Sequence, residues 1–177
     1  MALHFSGEEF ARRQANTIRL LEERGLDGLL MFKQESMFYL TGYDTFGFCF
    51  FQCLYFGADG RLMLLTRAPD LRQAQNTSLI EDIRIWVDGH GVNPADQLRE
   101  VLREFGGSGR RFGVEYDAYG LTAYNGMRVQ AALEGFCELE DASDLVTGLR
   151  LIKSPAEIGY VRRAAALGDA ALAEAVR

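Results

Sequence analysis

The stretch Phe46-Gly47-Phe48-Cys49-Phe50-Phe51-Gln52-Cys53-Leu54-Tyr55-Phe56 runs into Ala58-Asp59-Gly60 and then Arg61-Leu62-Met63-Leu64-Leu65-Thr66. Aromatic residues favour a pleated, half-buried surface, and Asp-Gly supplies the positive φ of a tight reversal, so this stretch predicts an antiparallel hairpin. Around it helical and strand-like patterns alternate, which alone would read as a parallel sheet. The hairpin breaks that pattern and sets the fold class: α/β, a mixed sheet of about five or six strands with flanking helices. Phe46, Phe48, Phe50, Phe51, Tyr55 and Phe56 concentrate aromatic area on one predicted strand. Alternation cannot put Phe50 and Phe51 on one face, so the strand is either core on both sides or presents aromatics to a partner.

Working outward, Ser6 and Glu9 have the spacing of a capping box, and Phe10, Ile18, Leu20 and Leu21 form an apolar face, predicting a helix over 7–24 that Gly25 stops. The run 26–32 suits a buried strand and 34–39 a brief helix. Beyond the hairpin, Pro69 and Asp70 open a helix over 68–76, and 83–87 alternates like a strand. Asn93-Pro94 is a helix start, as N-cap and first helical residue, for a segment running to Phe105 before Gly106-Gly107-Ser108-Gly109. Strands over 112–115 and 136–140 flank a helix over 121–133. From Pro155 to Arg177 helix formers put Ile158, Val161, Ala165, Leu172 and Val176 on a shared face, and neither glycine nor asparagine closes the segment. This reads as a helix cut short.

The chain of 177 residues suits one domain that buries roughly 70% of its unfolded surface without a metal or disulfide. Its 19 Lys plus Arg against 25 Asp plus Glu leave a charge of −6, which argues against a phosphate-backbone binder. The longest apolar stretch, Phe46 to Ala58, is too short to span a bilayer as a helix, and the first residues lack the basic and apolar regions of a signal peptide. Three cysteines are an odd number, and Cys49 and Cys53 on one strand would stand ~13 Å apart, too far to bridge. Buried packing in a reducing cytoplasm is the simplest expectation for them.

Candidate chemistry is sparse. His4 precedes the first helix and reads as a frayed terminus, while His90 in Asp88-Gly89-His90-Gly91 reads as a solvated turn without a second histidine or nucleophile. Glu81 and Asp82 point to opposite faces of a strand, and Asp141 and Asp144 flank a helix start as caps. The Gly106–Arg110 loop has a helix before and a strand after it, the reverse of a phosphate-binding loop. Residue chemistry yields no catalytic residue and no metal ligand.

Tyr39-Leu40-Thr41-Gly42-Tyr43, Phe112-Gly113-Val114-Glu115, Asp141-Ala142-Ser143-Asp144-Leu145 and Leu149-Arg150-Leu151-Ile152-Lys153-Ser154-Pro155-Ala156-Glu157-Ile158 resemble, in order, the N-terminal domain of the creatinase, prolidase and aminopeptidase P family. The last motif is the most specific. The resemblance implies a ribonuclease-H-like mixed sheet over 1–153, with 154–177 starting the linker helix to a C-terminal "pita-bread" catalytic domain absent from this chain. In that family two Asp, one His and two Glu of the missing domain hold two divalent metal ions, usually manganese, cobalt or zinc, while creatinase-type members work without metal. No such ligand is transferred to any residue here. The resemblance further implies a cytoplasmic homodimer in which the segment after the Tyr39–Tyr43 motif closes the partner subunit's substrate pocket. Tyr43, Asp44, Phe46 and Phe48 are thus expected to form an outward-facing wall, with Phe50 in the core. Creatinase has a basic residue near the Phe50 position, which this chain lacks.

The substrate class so implied is Xaa-Pro dipeptides or short peptides. The Tyr39–Asp44 stretch also resembles ectoine hydrolases, so an ectoine-hydrolase- or creatinase-like amidinohydrolase is the alternative. A stand-alone protein-binding module using the aromatic strand is a further reading. A nuclease would share only topology, and the acidic charge opposes it.

Overall fold

The computed structural model describes residues 3–177. Its helices are α1 (Gly7–Arg24), α2 (Gln34–Thr41), α3 (Leu71–Thr77), α4 (Pro94–Glu104), α5 (Ala123–Leu133), α6 (Leu145–Leu151) and α7 (Pro155–Ala175). The strands β1 (Gly28–Met31), β2 (Cys53–Gly57), β3 (Leu62–Arg67), β4 (Asp82–Trp86), β5 (Arg111–Val114) and β6 (Glu138–Asp141) form one sheet in the order β4-β3-β2-β1-β5-β6. The pairs β1–β2 and β2–β3 are antiparallel and the other three are parallel, giving the expected mixed sheet. Gly60, at φ 83°, makes the hairpin turn, and the Asp59 carboxylate accepts from the Arg61 N–H at 3.0 Å.

Strand β1 is buried along its whole length because both sheet faces are covered. Leu29 and Met31 join Leu21 of α1, Met37 and Leu40 of α2, and Leu145 of α6 in one core layer. Leu30 belongs to the other layer with Leu98 and Leu102 of α4 and Val129 and Leu133 of α5. Ser6 Oγ accepts from the Glu9 N–H at 3.2 Å to start α1, and Asn93 Oδ1 accepts from the Ala95 N–H at 3.2 Å to start α4.

Four expectations are corrected here. The aromatic segment is not one strand: Gly47–Cys49 forms a 3-10 turn, and β2 begins only at Cys53. The turn is held locally, because the Gly47 N–H donates to Thr45 Oγ1 at 2.9 Å and a Cβ on Gly47 would stand 2.7 Å from the Asp70 carboxylate oxygens. Cys49 is therefore exposed, and only Cys53 is buried; burial pushes the Cys53 thiol up and leaves it inert. Phe50 is not core but 47% exposed, its ring 3.8 Å beneath the Arg67 guanidinium, whereas Phe51 is buried. The Phe51 carbonyl also accepts from Trp86 Nε1 at 3.0 Å. Asp141 and Asp144 flank α6 but cap nothing. Asp141 Oδ1 accepts from the Ser143 N–H at 3.0 Å, and Asp144 pairs through both oxygens with Arg24 at 2.8 and 2.6 Å.

Gly113 leaves no room for a side chain in the packed core, since a Cβ there would stand 2.7 Å from the Ala142 Cβ and 3.0 Å from Leu29 Cδ1. Ala142 has no rotamer to change and Leu29 is fully buried, so neither can give way cheaply. Gly113→Ala is expected to destabilise the domain by ~2 kcal/mol, read as a lower midpoint in urea with an unchanged slope.

Candidate functional site

Helix α2 begins at Lys33, whose side chain offers no cap. The acceptor comes instead from the end of β5. One oxygen of the buried Glu115 carboxylate accepts from the Phe32 N–H at 3.1 Å and the Lys33 N–H at 3.0 Å, and the other from Ser36 Oγ at 2.5 Å. Burial raises this carboxyl to about 7, against the opposing pull of Ser36, the Lys33 and Phe32 N–H groups and the Lys33 charge. At its other end α2 stops at Gly42, φ 81°, and Thr41 Oγ1 accepts from the Tyr43 N–H at 3.1 Å.

Two cavities flank the helix so fixed. The larger, about 530 Å³, lies between the start of α2, residues 116–120 and Arg150 of α6, with Phe48 and Tyr119 at its border. The smaller, about 370 Å³, lies between α2, Asp44-Thr45 and the start of α7. Gln34, Glu35 and Arg150 line both, so they form one groove. Main chain packs closely at its edge, where a Cβ on Gly120 would stand 2.9 Å from the Phe32 carbonyl oxygen and 3.0 Å from that of Phe48.

Of the four wall residues expected from the sequence, Tyr43 and Asp44 border the smaller cavity and Phe48 the larger, and Phe46, 87% exposed, projects outward. Tyr43 does not face outward. The turn at Gly42 drives its ring into the core, where it has no exposed surface, and its hydroxyl donates to Gln52 Oε1 at 3.0 Å. Gln52 Nε2 donates in turn to Thr45 Oγ1 at 3.1 Å, so Tyr43, Gln52 and Thr45 clasp the aromatic loop from below. Residue reasoning missed Thr45, Gln52, Glu115 and Tyr119. Gln52 carried a signal, being the polar residue that interrupts the apolar stretch; Glu115 carried none, because the amides it caps lie 82 to 83 positions away.

The remaining candidates do not converge on the groove. His90 is exposed in its turn, and Asp88 pairs with Arg67 at 3.0 Å rather than orienting an imidazole. His4 is not frayed: its carbonyl accepts from the Tyr160 hydroxyl at 2.5 Å. Among the described residues no three His, Cys, Asp or Glu side chains come together, so their donor set does not fit a metal centre. No described helix is long and apolar enough to cross a membrane.

Residues 13–152 match the family model described as the Creatinase/Prolidase N-terminal domain. The chain belongs to this family. It is 30% identical to an uncharacterized hydrolase/peptidase of Sinorhizobium fredii over 98% of its length and 46% of that protein's, and 30% identical to the ectoine hydrolase of Halomonas elongata over 92% and 42%. The crystal structure of a dipeptidase from Pyrococcus horikoshii superposes with a TM-score of 0.74 at 27% identity, covering 93% of this chain and 43% of that one. The chain spans less than half the length of these proteins. In this creatinase/prolidase N-terminal domain each of the four motifs has a physical task. The first ends α2, the second delivers Glu115, the third joins β6 to α6, and the fourth starts α7 with a complete capping box between Ser154 and Glu157.

Because folding raises the Glu115 carboxyl from 4.5 to about 7, the folded state holds its proton more tightly than the unfolded chain. Its contribution is therefore full below about pH 4.5 and is lost as pH rises through about 7, by at most ~3 kcal/mol. Glu115→Gln, with its amide oxygen on the two main-chain N–H groups and its NH2 toward Ser36, is expected to remove that slope. Glu115→Ala is expected to cost about 2–3 kcal/mol at pH 5 through the lost cap. Urea unfolding of both variants at pH 5 and pH 8 checks the sign.

Proposed function

We propose that this chain is the noncatalytic N-terminal domain of an Xaa-Pro dipeptidase- or aminopeptidase-like metallohydrolase. Residues 1–153 form the domain, and 154–177 begin the linker to a C-terminal pita-bread domain that holds the two divalent ions, manganese, cobalt or zinc, and performs the hydrolysis. The protein acts in the cytoplasm as a homodimer. In it the loop Asp44–Phe50 walls the partner subunit's pocket, with Asp44, Phe46 and Phe48 toward substrate and Tyr43 holding the loop from behind.

The observation that carries this reading is an inverted loop. Polar Thr45 and Gln52 are buried and hydrogen-bonded, while Phe46 stands in solvent and Phe48 and Phe50 are nearly half exposed. Solvent-facing aromatics on a fastened loop suit a surface that is covered in the assembled protein. The ectoine hydrolase relative favours a second substrate class on the same scaffold, a cyclic amidine in place of an Xaa-Pro peptide.

The test uses the native reading frame carried past Arg177. The 177-residue chain is expected to be inactive with added manganese, and the longer protein to hydrolyse Gly-Pro or, on the alternative, ectoine. Phe48→Ala in the longer protein is expected to raise KM about tenfold, equivalent to ~1.4 kcal/mol of binding, with little change in kcat. Turnover by the isolated chain would defeat the proposal. A frame that stops near Arg177 would leave the aromatic loop as the surface of a stand-alone binding module.

A further inference from the structure

Helix α7 buries none of its 21 residues. Its apolar contacts are confined to the first turns, where Ile158 and Tyr160 are a little over a third exposed, so beyond them no apolar packing fixes its direction. The hydrogen bonds and ion pairs joining α7 to the rest of the described chain come from Glu157 and Tyr160, both in its first two turns.

Arg13 of α1 is the receiving group. It is 2% exposed, yet its Nη1 donates to the Tyr39 carbonyl at 3.0 Å, its Nε to Glu9 at 3.2 Å and its Nη2 to Glu157 at 3.2 Å. The guanidinium lies 4.0 Å from the Phe5 ring centroid and 4.5 Å from that of Tyr39. It thus joins α1, the end of α2 and α7 in one enclosed site. The same Glu157 carboxylate completes the α7 capping box, its second oxygen accepting from the Ser154 N–H at 2.7 Å. One side chain therefore both starts the helix and ties it to the domain.

We infer that Arg13 and Glu157 form a latch that sets the direction in which α7 leaves the domain, and that opening it lets α7 pivot about the segment between α6 and α7. A buried ion pair is suited to this task. Its geometry is directional, and opening it leaves Arg13 on Glu9 and the Tyr39 carbonyl while Glu157 turns to solvent, so the contact is either made or lost. The Tyr160 hydroxyl on the His4 carbonyl and the Phe5–Tyr160 ring contact, 5.2 Å between centroids, press on the same end of the helix but engage only the N-terminal segment. That segment is anchored to the body partly through Phe5 against Arg13, so the latch governs both attachments.

Pulsed dipolar spectroscopy on the 177-residue chain tests this directly. Nitroxides go on cysteines placed at the exposed Glu104 of α4 and Leu167 of α7, with Cys49→Ser and Cys137→Ser to remove the other accessible thiols. A second pair at Glu23 and Glu104 reports on the domain itself. The otherwise unaltered chain is expected to give one narrow 104–167 distance. Glu157→Gln keeps an acceptor for the Ser154 N–H but removes the charge, and is expected to broaden that distribution at least twofold while the 23–104 distance stays narrow. Arg13→Met is expected to do the same. Should it fail to fold, Glu157→Gln alone decides, since it lies outside the core. An unchanged 104–167 width in Glu157→Gln, or a broad distribution before any latch substitution, would overturn the inference.

Discussion

A single buried carboxylate sets the geometry on which the groove depends. Among the described residues Glu115 has no cation in a direct ion pair; its oxygens are occupied by two main-chain N–H groups and a serine hydroxyl. Burying such a group is costly unless its hydrogen bonds are made, and here the bonds are also the ones that α2 lacks at its start. The end of β5, the exit of β1 and the entry to α2 therefore have one mutually consistent arrangement. Everything downstream follows from the angle of α2: its far end turns at Gly42, buries Tyr43 and releases the chain as the aromatic loop.

The hydrogen bonding beneath that loop works on the same principle with neutral groups. Tyr43, Gln52 and Thr45 satisfy one another away from water, and Gly47 fits above them only because it has no side chain. Asp70 lies close beneath Gly47, where burial raises its carboxyl above the ordinary value despite the Arg67 charge. Fully satisfied polar contacts of this kind select one conformation more sharply than apolar packing does, because a slipped arrangement leaves donors unpaired. The loop can then expose apolar rings without collapsing onto the core.

What was legible in the sequence was whatever depends on neighbours in the chain. The hairpin at Ala58–Gly60, the Ser6 and Asn93 caps and the proline starts of α4 and α7 all use residues within a few positions, and the structure has them. Resemblance to the family supported the mixed sheet but not the order of its strands, which pairing alone decides. Position along the strand misled where alternation was extended through Gly47: an aromatic-rich run satisfies a strand pattern and a 3-10 turn equally, and the turn wins through Thr45, Gln52 and Asp70. Asp141 and Asp144 misled for a related reason. A carboxylate beside a helix start can cap it locally, but Arg24 from another helix offered Asp144 a two-pronged charged partner. Glu115 was invisible because its role exists only after β1 and β5 have paired.

Two ion pairs that join distant helices among the described residues make opposite uses of the same chemistry. The Arg24–Asp144 pair, with Asp144 open to solvent, is screened by salt and replaceable by water, so it contributes little beyond tethering α6 beside α1. The Arg13–Glu157 pair is enclosed by aromatic rings, and its guanidinium also holds the end of α2 through the Tyr39 carbonyl. Removing Arg13 there affects three helices at once, because the one guanidinium bonds to Glu9, the Tyr39 carbonyl and Glu157. Placing the groove and the departing helix on shared groups couples them: Tyr39, Arg13 and Glu157 all line its smaller chamber. A shift of α7 is therefore also a change in the shape of the groove. The exposed helix and the exposed aromatic loop both hang from the C-terminal end of α2, whose other end Glu115 fixes.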